Sequence, residues 1–159
     1  MKRIAAVALA AALLILLFAG CKLRPKEIKN ISYLYYTASY GMDIDDRVVY
    51  GLRLEGGVYT AEVKPEGIPE KDELTVEVDR AFVAELEELL RTNQVQKWHG
   101  YNKRSRNIMD GIGFTFALRM ENGDAVEAVG YMNWPDNYGP VERGLDRLFG
   151  RLWDENRGE

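Results

Sequence analysis

Two pairs of short alternating segments, each joined by a glycine-containing turn, most strongly constrain the fold of this 159-residue chain. The first pair, Arg47–Glu55 and Val58–Lys64, flanks Gly56-Gly57, and a glycine pair between alternating segments is typical of a β-hairpin. A two-residue loop would align alternate apolar residues of both strands on one face. The predicted cross-strand pairs are Tyr50 with Val63, Leu52 with Ala61 and Leu54 with Tyr59.

The second pair covers residues 112–120 and 125–132 and flanks Asn122-Gly123, which is a strong short-range hairpin signal. Its register stays open between two alternatives. A two-residue loop would place Glu127 beside Leu118, whereas a three-residue loop would place it beside Arg119.

A segment with helical periodicity follows each predicted hairpin. Asp79 is a typical N-cap for the first helix, which we expect to end near Asn93. The second helix is predicted to start at Gly139-Pro140, because proline is tolerated at the start of a helix. The apolar stripes consist of Phe82, Val83, Leu86, Leu89 and Leu90 in the first helix and of Val141, Leu145, Leu148, Phe149 and Leu152 in the second.

Strands are also predicted at residues 31–40 and 74–78, which alternate and are rich in tyrosine or β-branched residues. Together these elements predict an α+β fold, with an antiparallel sheet and two helices on one face. Residues 52–57 and 118–123 share the pattern Leu-Arg-apolar-Glu-x-Gly. Residues 47–92 and 112–153 could therefore be two copies of a hairpin-plus-helix unit, although chance similarity between two hairpins is the rival explanation.

The N-terminal 20 residues are typical of a bacterial lipoprotein signal peptide. Lys2 and Arg3 precede an apolar run at residues 4–18, and Ala19-Gly20 precede Cys21. Residues 18–21 resemble a lipobox, in which the cysteine thiol receives a diacylglyceryl group and becomes the mature N-terminus. Cys21 is the only cysteine of the chain, so no intramolecular disulfide competes for it. We predict a lipid-anchored protein on the extracytoplasmic face of a bacterial membrane; ordinary secretion with a leftover thiol is the alternative.

Residues 21–30 are predicted to be the lipidated cysteine and a short basic tether, and residues 31–159 a single domain. Residues 1–20 carry two of the 21 basic residues and none of the 25 acidic ones, so cleavage changes the formal charge from −4 to −6. An acidic balance disfavours nonspecific nucleic-acid binding, and we expect no nucleic-acid partner. We also expect no cofactor and no metal site. Residues 43–46 carry three aspartates, but the glycine and glutamate of a calcium loop do not follow at its spacing, which favours a solvated turn.

Residues 98–139 concentrate the aromatic residues that we consider for binding. Loops at the end of a rigid sheet often carry binding sites, and rings with amides nearby could stack on a sugar or hold a peptide. The alternative is that the rings cap the core and the asparagines form turns. The candidate binding residues are Trp98, Tyr101, Asn102, Asp110, Tyr131, Trp134, Asn137 and Tyr138.

The same block resembles a family of uncharacterised bacterial lipoproteins. The shared features are a Trp-x-Gly-aromatic motif at residues 98–101, an Asp-Gly pair at 110–111, and a Gly-Tyr…aromatic-Pro-x-Asn-aromatic motif at 130–138. His99 departs from the family, in which this position is acidic. The resemblance covers residues 80–152 and implies the fold and the anchor, but it implies no activity.

Three functions remain open at this point. The first is a lipid-anchored module that binds a protein, a peptide or a glycan through the aromatic loops. The second is a structural or assembly lipoprotein of a cell-envelope complex. The third and weakest is a hydrolase that uses His99, the only histidine, with Asp110. We do not expect an enzyme, because no serine has the sequence context of a nucleophile elbow.

Overall fold

The computed structural model describes residues 27–40, 46–105 and 111–157, so the predicted signal peptide, Cys21 and Asp110 lie outside the described residues. Within these ranges the chain forms seven strands, two α-helices and two short 3₁₀ turns at Glu70–Asp72 and Val95–Trp98. The strands are β1 (Ile31–Ser39), β2 (Arg47–Glu55), β3 (Val58–Lys64), β4 (Leu74–Val78), β5 (Tyr101–Arg104), β6 (Gly113–Met120) and β7 (Ala125–Tyr131). The helices are α1 (Arg80–Thr92) and α2 (Tyr138–Asn156).

The seven strands form one sheet in the order β4-β3-β2-β1-β6-β7-β5. All neighbours pair antiparallel except β5 and β7, which are parallel. The predicted α+β fold is confirmed, but the sheet is mixed rather than purely antiparallel. The difference arises because the chain leaves helix α1 through the Val95–Trp98 turn and reaches the outer edge of β7 before it forms β6. The N–H of Gly100 donates to the carbonyl of Glu127 at this edge, with an N–O distance of 2.9 Å.

The first hairpin has the predicted register, with Tyr50 opposite Val63 and Leu52 opposite Ala61. Both registers predicted for the second hairpin are wrong, because Glu127 lies opposite Ala117. The loop comprises three residues, 121–123, and it closes through a hydrogen bond from the N–H of Gly123 to the carbonyl of Met120 (2.9 Å). Gly123 has φ +86°, the left-handed conformation that closes such a three-residue hairpin.

Both helices pack on the same face of the sheet and contact each other. The core between them contains the inward residues of β1, β2 and β6, and Leu34 of β1 lies opposite both Leu52 and Leu118. Polar contacts fix helix α1 on the sheet: Glu87 accepts the N–H of Ile31 at 3.0 Å. Ile28, which we assigned to the tether, is also buried in this core, so the packed part of the chain includes residues before β1.

The predicted superposition of residues 47–92 and 112–153 is wrong. β2 and β6 both run antiparallel to β1 and present Leu52 and Leu118 to the same face. However, β3 lies on the outer side of β2 and β7 on the opposite outer side of β6. Viewed from the helix side, the first hairpin therefore turns to one side and the second hairpin to the other, like mirror images. A rotation that superposes the two hairpins moves one of the helices to the opposite face of the sheet.

The helix ends follow from local chemistry. The carboxylate of Asp79 accepts the N–H of Phe82 at 2.9 Å, which confirms the predicted N-cap of helix α1, and the helix ends at Thr92 with Asn93 as its C-cap. Helix α2 begins at Tyr138, two residues before Pro140, so the proline lies in the first turn, where its missing N–H leaves no helical hydrogen bond unmade. No helix among the described residues is long and apolar enough to span a membrane.

Candidate functional site

Trp98 is a core residue. Its side chain is 2% exposed, and its ring packs on Phe116 and Tyr138 with centroid distances of 5.3 and 6.0 Å. The indole N–H donates to the carbonyl of Asp136 at 2.9 Å, so the only polar atom of this buried ring is satisfied. The predicted binding role of Trp98 is not supported by this burial, since neither face of the ring is open to a ligand.

Trp134 has a different environment, because 38% of its surface is exposed. Its ring packs on Tyr138 at a centroid distance of 6.1 Å. Tyr138 thus contacts both Trp98 and Trp134, and the two tryptophans approach each other through this shared neighbour. Phe114 lies opposite Gly130, at the end of the second hairpin that is farthest from its turn, and packs on Tyr138 at 4.6 Å. The aromatic cluster therefore lies at the end of the hairpin where it was predicted.

The other predicted binding residues have mostly structural contacts. The hydroxyl of Tyr101 donates to Oδ1 of Asn133 at 2.6 Å, which ties β5 to the segment after β7. Tyr131 is half-buried beneath the guanidinium of Arg104, at 4.8 Å from its ring centroid. Asn102 is exposed on the edge strand β5.

Asn137 lies immediately before helix α2 in the left-handed conformation (φ 62°), and its amide donates to the carbonyl of Asn93 at 3.3 Å. This contact joins the start of helix α2 to the end of helix α1. Asn137 therefore serves the turn that the alternative interpretation assigned to it, while its side chain also remains exposed at the surface.

A groove of about 520 Å³ opens beside Trp134, where β1 ends and helix α2 begins. Trp134, Asn137 and Tyr138 are the three predicted binding residues that the structure brings together in its wall. The described residues that line it are Tyr40, Ile112, Trp134, Pro135, Asn137, Tyr138, Gly139, Pro140 and Glu142.

Glu142 and Tyr40 are two groove residues that the sequence analysis missed, and Tyr36 of β1 joins them in one hydrogen-bond cluster. Glu142 Oε1 lies 2.7 Å from the hydroxyl of Tyr40, 3.1 Å from that of Tyr138 and 3.3 Å from that of Tyr36. The hydroxyls of Tyr36 and Tyr138 are also 2.9 Å apart. A signal was present in the sequence, because Tyr36, Ala38 and Tyr40 share one face of the strand by alternation.

Each hydroxyl has one hydrogen, so the hydrogens can be arranged in two ways. Tyr40 donates to Glu142 in both; of Tyr36 and Tyr138, one hydroxyl donates to the other, which in turn donates to Glu142. Two hydrogens then occupy Oε1, the usual capacity of one carboxylate oxygen. Among the described residues, none donates a hydrogen bond to Oε2.

The phenols of this cluster stay neutral. Burial raises the pKa of Tyr36, Tyr40 and Tyr138 above the usual tyrosine value, and the negative charge of Glu142 raises each of them further. One turn along helix α2, Asp146 accepts a hydrogen bond from the hydroxyl of Tyr50 at 3.1 Å. Burial also raises the pKa of Tyr50. It raises the pKa of Asp146 as well, and this effect is larger than the lowering of that pKa by the hydrogen bond from Tyr50.

His99 and Asp110 are the two residues of the predicted hydrolase. His99 ends the Val95–Trp98 turn, and its buried Nδ1 makes no hydrogen bond to any residue that the structure describes. Its proposed partner Asp110 lies outside those residues. Within the described ranges, no group of three or more histidine, cysteine or carboxylate side chains is arranged to hold a metal ion.

No protein-family model matches the chain, and a search of curated proteins finds no match.

Proposed function

We propose that this protein is a lipid-anchored, extracytoplasmic binding module that recognises a protein, peptide or glycan through the groove beside Trp134. The anchor rests on the sequence, namely the charged start, the apolar run and the small residues before Cys21. The groove supplies the recognition surface. This proposal also accounts for the concentration of aromatic residues at one end of the sheet.

The observation that carries the proposal is the exposed ring of Trp134 in the wall of the groove. An indole with 38% of its surface open offers a flat apolar face, and Asn137 and Glu142 lie beside it as polar groups. Ligand sites commonly have volumes of about 300–1,000 Å³ and combine apolar walls with a few polar groups. The groove matches that pattern, whereas the buried Trp98 supports it only by holding Tyr138 in place.

The test is a screen of peptide and glycan arrays with the full-length protein in detergent, comparing the wild type with Trp134→Ala. Trp153→Ala is the matched control, because Trp153 is a half-exposed tryptophan near the other end of helix α2, where it packs under Arg157. We expect Trp134→Ala to lose the bound ligand and Trp153→Ala to keep it. Equal binding by all three proteins would contradict the groove as the recognition site.

A structural or assembly role in an envelope complex is the second candidate. The observation in its favour is the sheet face opposite the helices, where Val129 is 45% exposed and Tyr33 and Tyr35 are half-buried. Membrane pull-down with the full chain distinguishes the two functions. A partner that is lost in Val129→Glu but kept in Trp134→Ala would favour assembly through the sheet face.

A further inference from the structure

We propose that the groove receives the ammonium group of a lysine side chain from a peptide or protein partner, with Glu142 as its counter-ion. This inference rests on the proposed function and narrows its ligand class.

The charge of the groove favours a cation. Among the described residues that line it, Glu142 is the only one with a charged side chain. Asp146 lies one helical turn further and adds a second carboxylate on the same side of helix α2. Arg143 is a described cation close to the groove, because its Nη1 would lie 3.2 Å from a Cβ at the lining residue Gly139, and it forms no ion pair with Glu142.

The start of helix α2 does not reverse this preference. A helix N-terminus is equivalent to about half a positive charge and attracts anions through free N–H groups. Here Pro140 has no N–H, and the N–H of Tyr138 already donates to the carbonyl of Pro135 at 3.2 Å. The full charge of Glu142 also lies in the second turn of the same helix and opposes a second anion.

The hydrogen bonds of Glu142 select an ammonium over a guanidinium. Oε1 already accepts two tyrosine hydrogens, one of them from Tyr40, while none of the described residues donates to Oε2. Arginine binds a carboxylate best through both oxygens in a fork, and that geometry requires Oε1 to be available. Lysine is a compact charge that needs one acceptor, so it can use Oε2 without disturbing the tyrosines.

The walls suit the rest of a lysine side chain. Trp134 and Tyr40 present aromatic rings at the groove, and a cation within about 6 Å of a ring centroid is attracted by the ring face. The four-carbon stem of lysine can lie along apolar surface while its charged end reaches a polar partner. Pro135 and Pro140 also line the groove and supply apolar surface for the stem.

The position of the groove favours a protein partner over an amine-bearing lipid headgroup. β1 runs from Ile31 near the tether to Ser39, and Tyr40 of the groove follows it. At about 3.3 Å per residue this strand separates the groove from the tether end by roughly 25–30 Å. The turn of the second hairpin lies at the tether end instead, where the N–H of Glu121 donates to the carbonyl of Asn30 at 2.9 Å.

The experiment titrates full-length, ¹⁵N-labelled protein in detergent with the peptide acetyl-Gly-Lys-Gly-amide and follows the indole N–H signal of Trp134 by NMR. The signal is assigned by its loss in Trp134→Ala. Matched peptides replace lysine with Nε-acetyl-lysine, norleucine or arginine, which remove the charge, remove the head group or change its shape. Glu142→Gln keeps an acceptor for the tyrosines but removes the charge, and Glu155→Gln makes the same change near the end of helix α2.

We expect the lysine peptide to shift the Trp134 signal in the wild type and in Glu155→Gln. Its affinity should fall at least tenfold in Glu142→Gln, and the acetyl-lysine and norleucine peptides should bind at least tenfold more weakly than lysine. The arginine peptide should bind several-fold more weakly. Each of these losses of affinity is expected because the lysine ammonium binds one charged acceptor, Oε2 of Glu142.

Two results would overturn the inference: no shift at Trp134 with the lysine peptide, or equal affinities for the lysine and norleucine peptides. Neither result removes the proposed function, because the arrays test the groove with ligands of any charge. An array ligand that depends on Trp134 but carries no ammonium group would contradict the lysine assignment and would still support the proposed binding module. The absence of any Trp134-dependent array ligand would instead contradict the proposal that the protein is a binding module.

Discussion

Tyr40, directly after the central strand β1, donates its hydroxyl hydrogen to Glu142 of helix α2 across 2.7 Å. This contact joins the first strand of the domain to its last helix, which are 102 residues apart in sequence. It also leaves the hydroxyl beneath the groove as a neutral donor, because burial and the carboxylate both raise the pKa of Tyr40. The polar side of the groove therefore depends on the same contact that holds the helix on the sheet.

Alkaline pH should unfold the protein cooperatively through its buried phenols. Tyr36, Tyr50 and Tyr138 have raised pKa values in the folded state, so their stabilising effect is complete below the unfolded tyrosine pKa of about 10 and is lost as the pH rises above it. Above that pH, each phenol that stays protonated in the folded state lowers the free energy of unfolding by about 1.4 kcal/mol per pH unit. The three together lower it by about 4 kcal/mol per pH unit. Tyrosinate absorbance at 295 nm and circular dichroism should change together; tyrosinate formation in a fully folded protein at these positions would contradict the prediction.

Truncation of the two tryptophans of the aromatic cluster should have unequal effects on stability. Trp98→Ala removes a ring that is 2% exposed and should lower the free energy of unfolding by about 3–5 kcal/mol. Trp134→Ala removes a ring that is 38% exposed and should cost about 1 kcal/mol. Urea denaturation measures both. Strong destabilisation by both substitutions would refute the binding role of Trp134.

The two glycines inside helix α2 should respond oppositely to alanine. A Cβ at Gly144 would lie 2.3 Å from Cδ1 of Leu89, so Leu89 has to leave its position between the helices. A Cβ at Gly150 meets no atom within 4 Å, and alanine should stabilise the helix there by up to about 1 kcal/mol. We expect Gly144→Ala to be about 1–3 kcal/mol less stable than Gly150→Ala, as overpacking requires. Thermal melts of the pair decide this, and equal stabilisation would show that the helices can separate slightly at no cost.

Cys21→Ala should abolish acylation and release the protein from the membrane, because Cys21 is the only thiol in the chain. Mass spectrometry of the purified protein measures the acyl mass, and detergent-phase partitioning measures the anchor. Ser32→Ala is a suitable control, since it changes one small residue beyond the predicted tether. A Cys21→Ala protein that still partitions fully into detergent would exclude the lipid anchor.

The elements with strong local signals were predictable from the sequence. The Gly56-Gly57 turn and its flanking alternation gave the correct register, and Asp79 marked the start of a helix whose apolar stripe is buried. The register of the second hairpin was predicted wrongly because loops of two and three residues around Asn122-Gly123 use similar residues. The observed loop ends at the left-handed Gly123 and begins at Glu121, one residue before the predicted start.

The parts that depend on tertiary structure were not predictable in the same way. β5 has four residues, three of them exposed, so it carries no alternation that would reveal a strand or its parallel partner. Trp98 and Trp134 look equivalent in sequence, yet only the packing of the Val95–Trp98 turn buries one of them. The link from Tyr36 and Tyr40 to Glu142 joins residues that no local pattern relates, which explains why the groove was only partly anticipated.

The central place of β1 has a consequence for the order in which this chain can fold. One edge of β1 pairs with β2 close by in sequence, but its other edge pairs with β6, where Ser39 lies opposite Gly113. A nascent or truncated chain that stops after helix α1 therefore has a middle strand with one full row of unpaired N–H and C=O groups. Such an edge templates pairing with other chains, so the first half alone is an aggregation-prone fragment until β6 arrives to cover it.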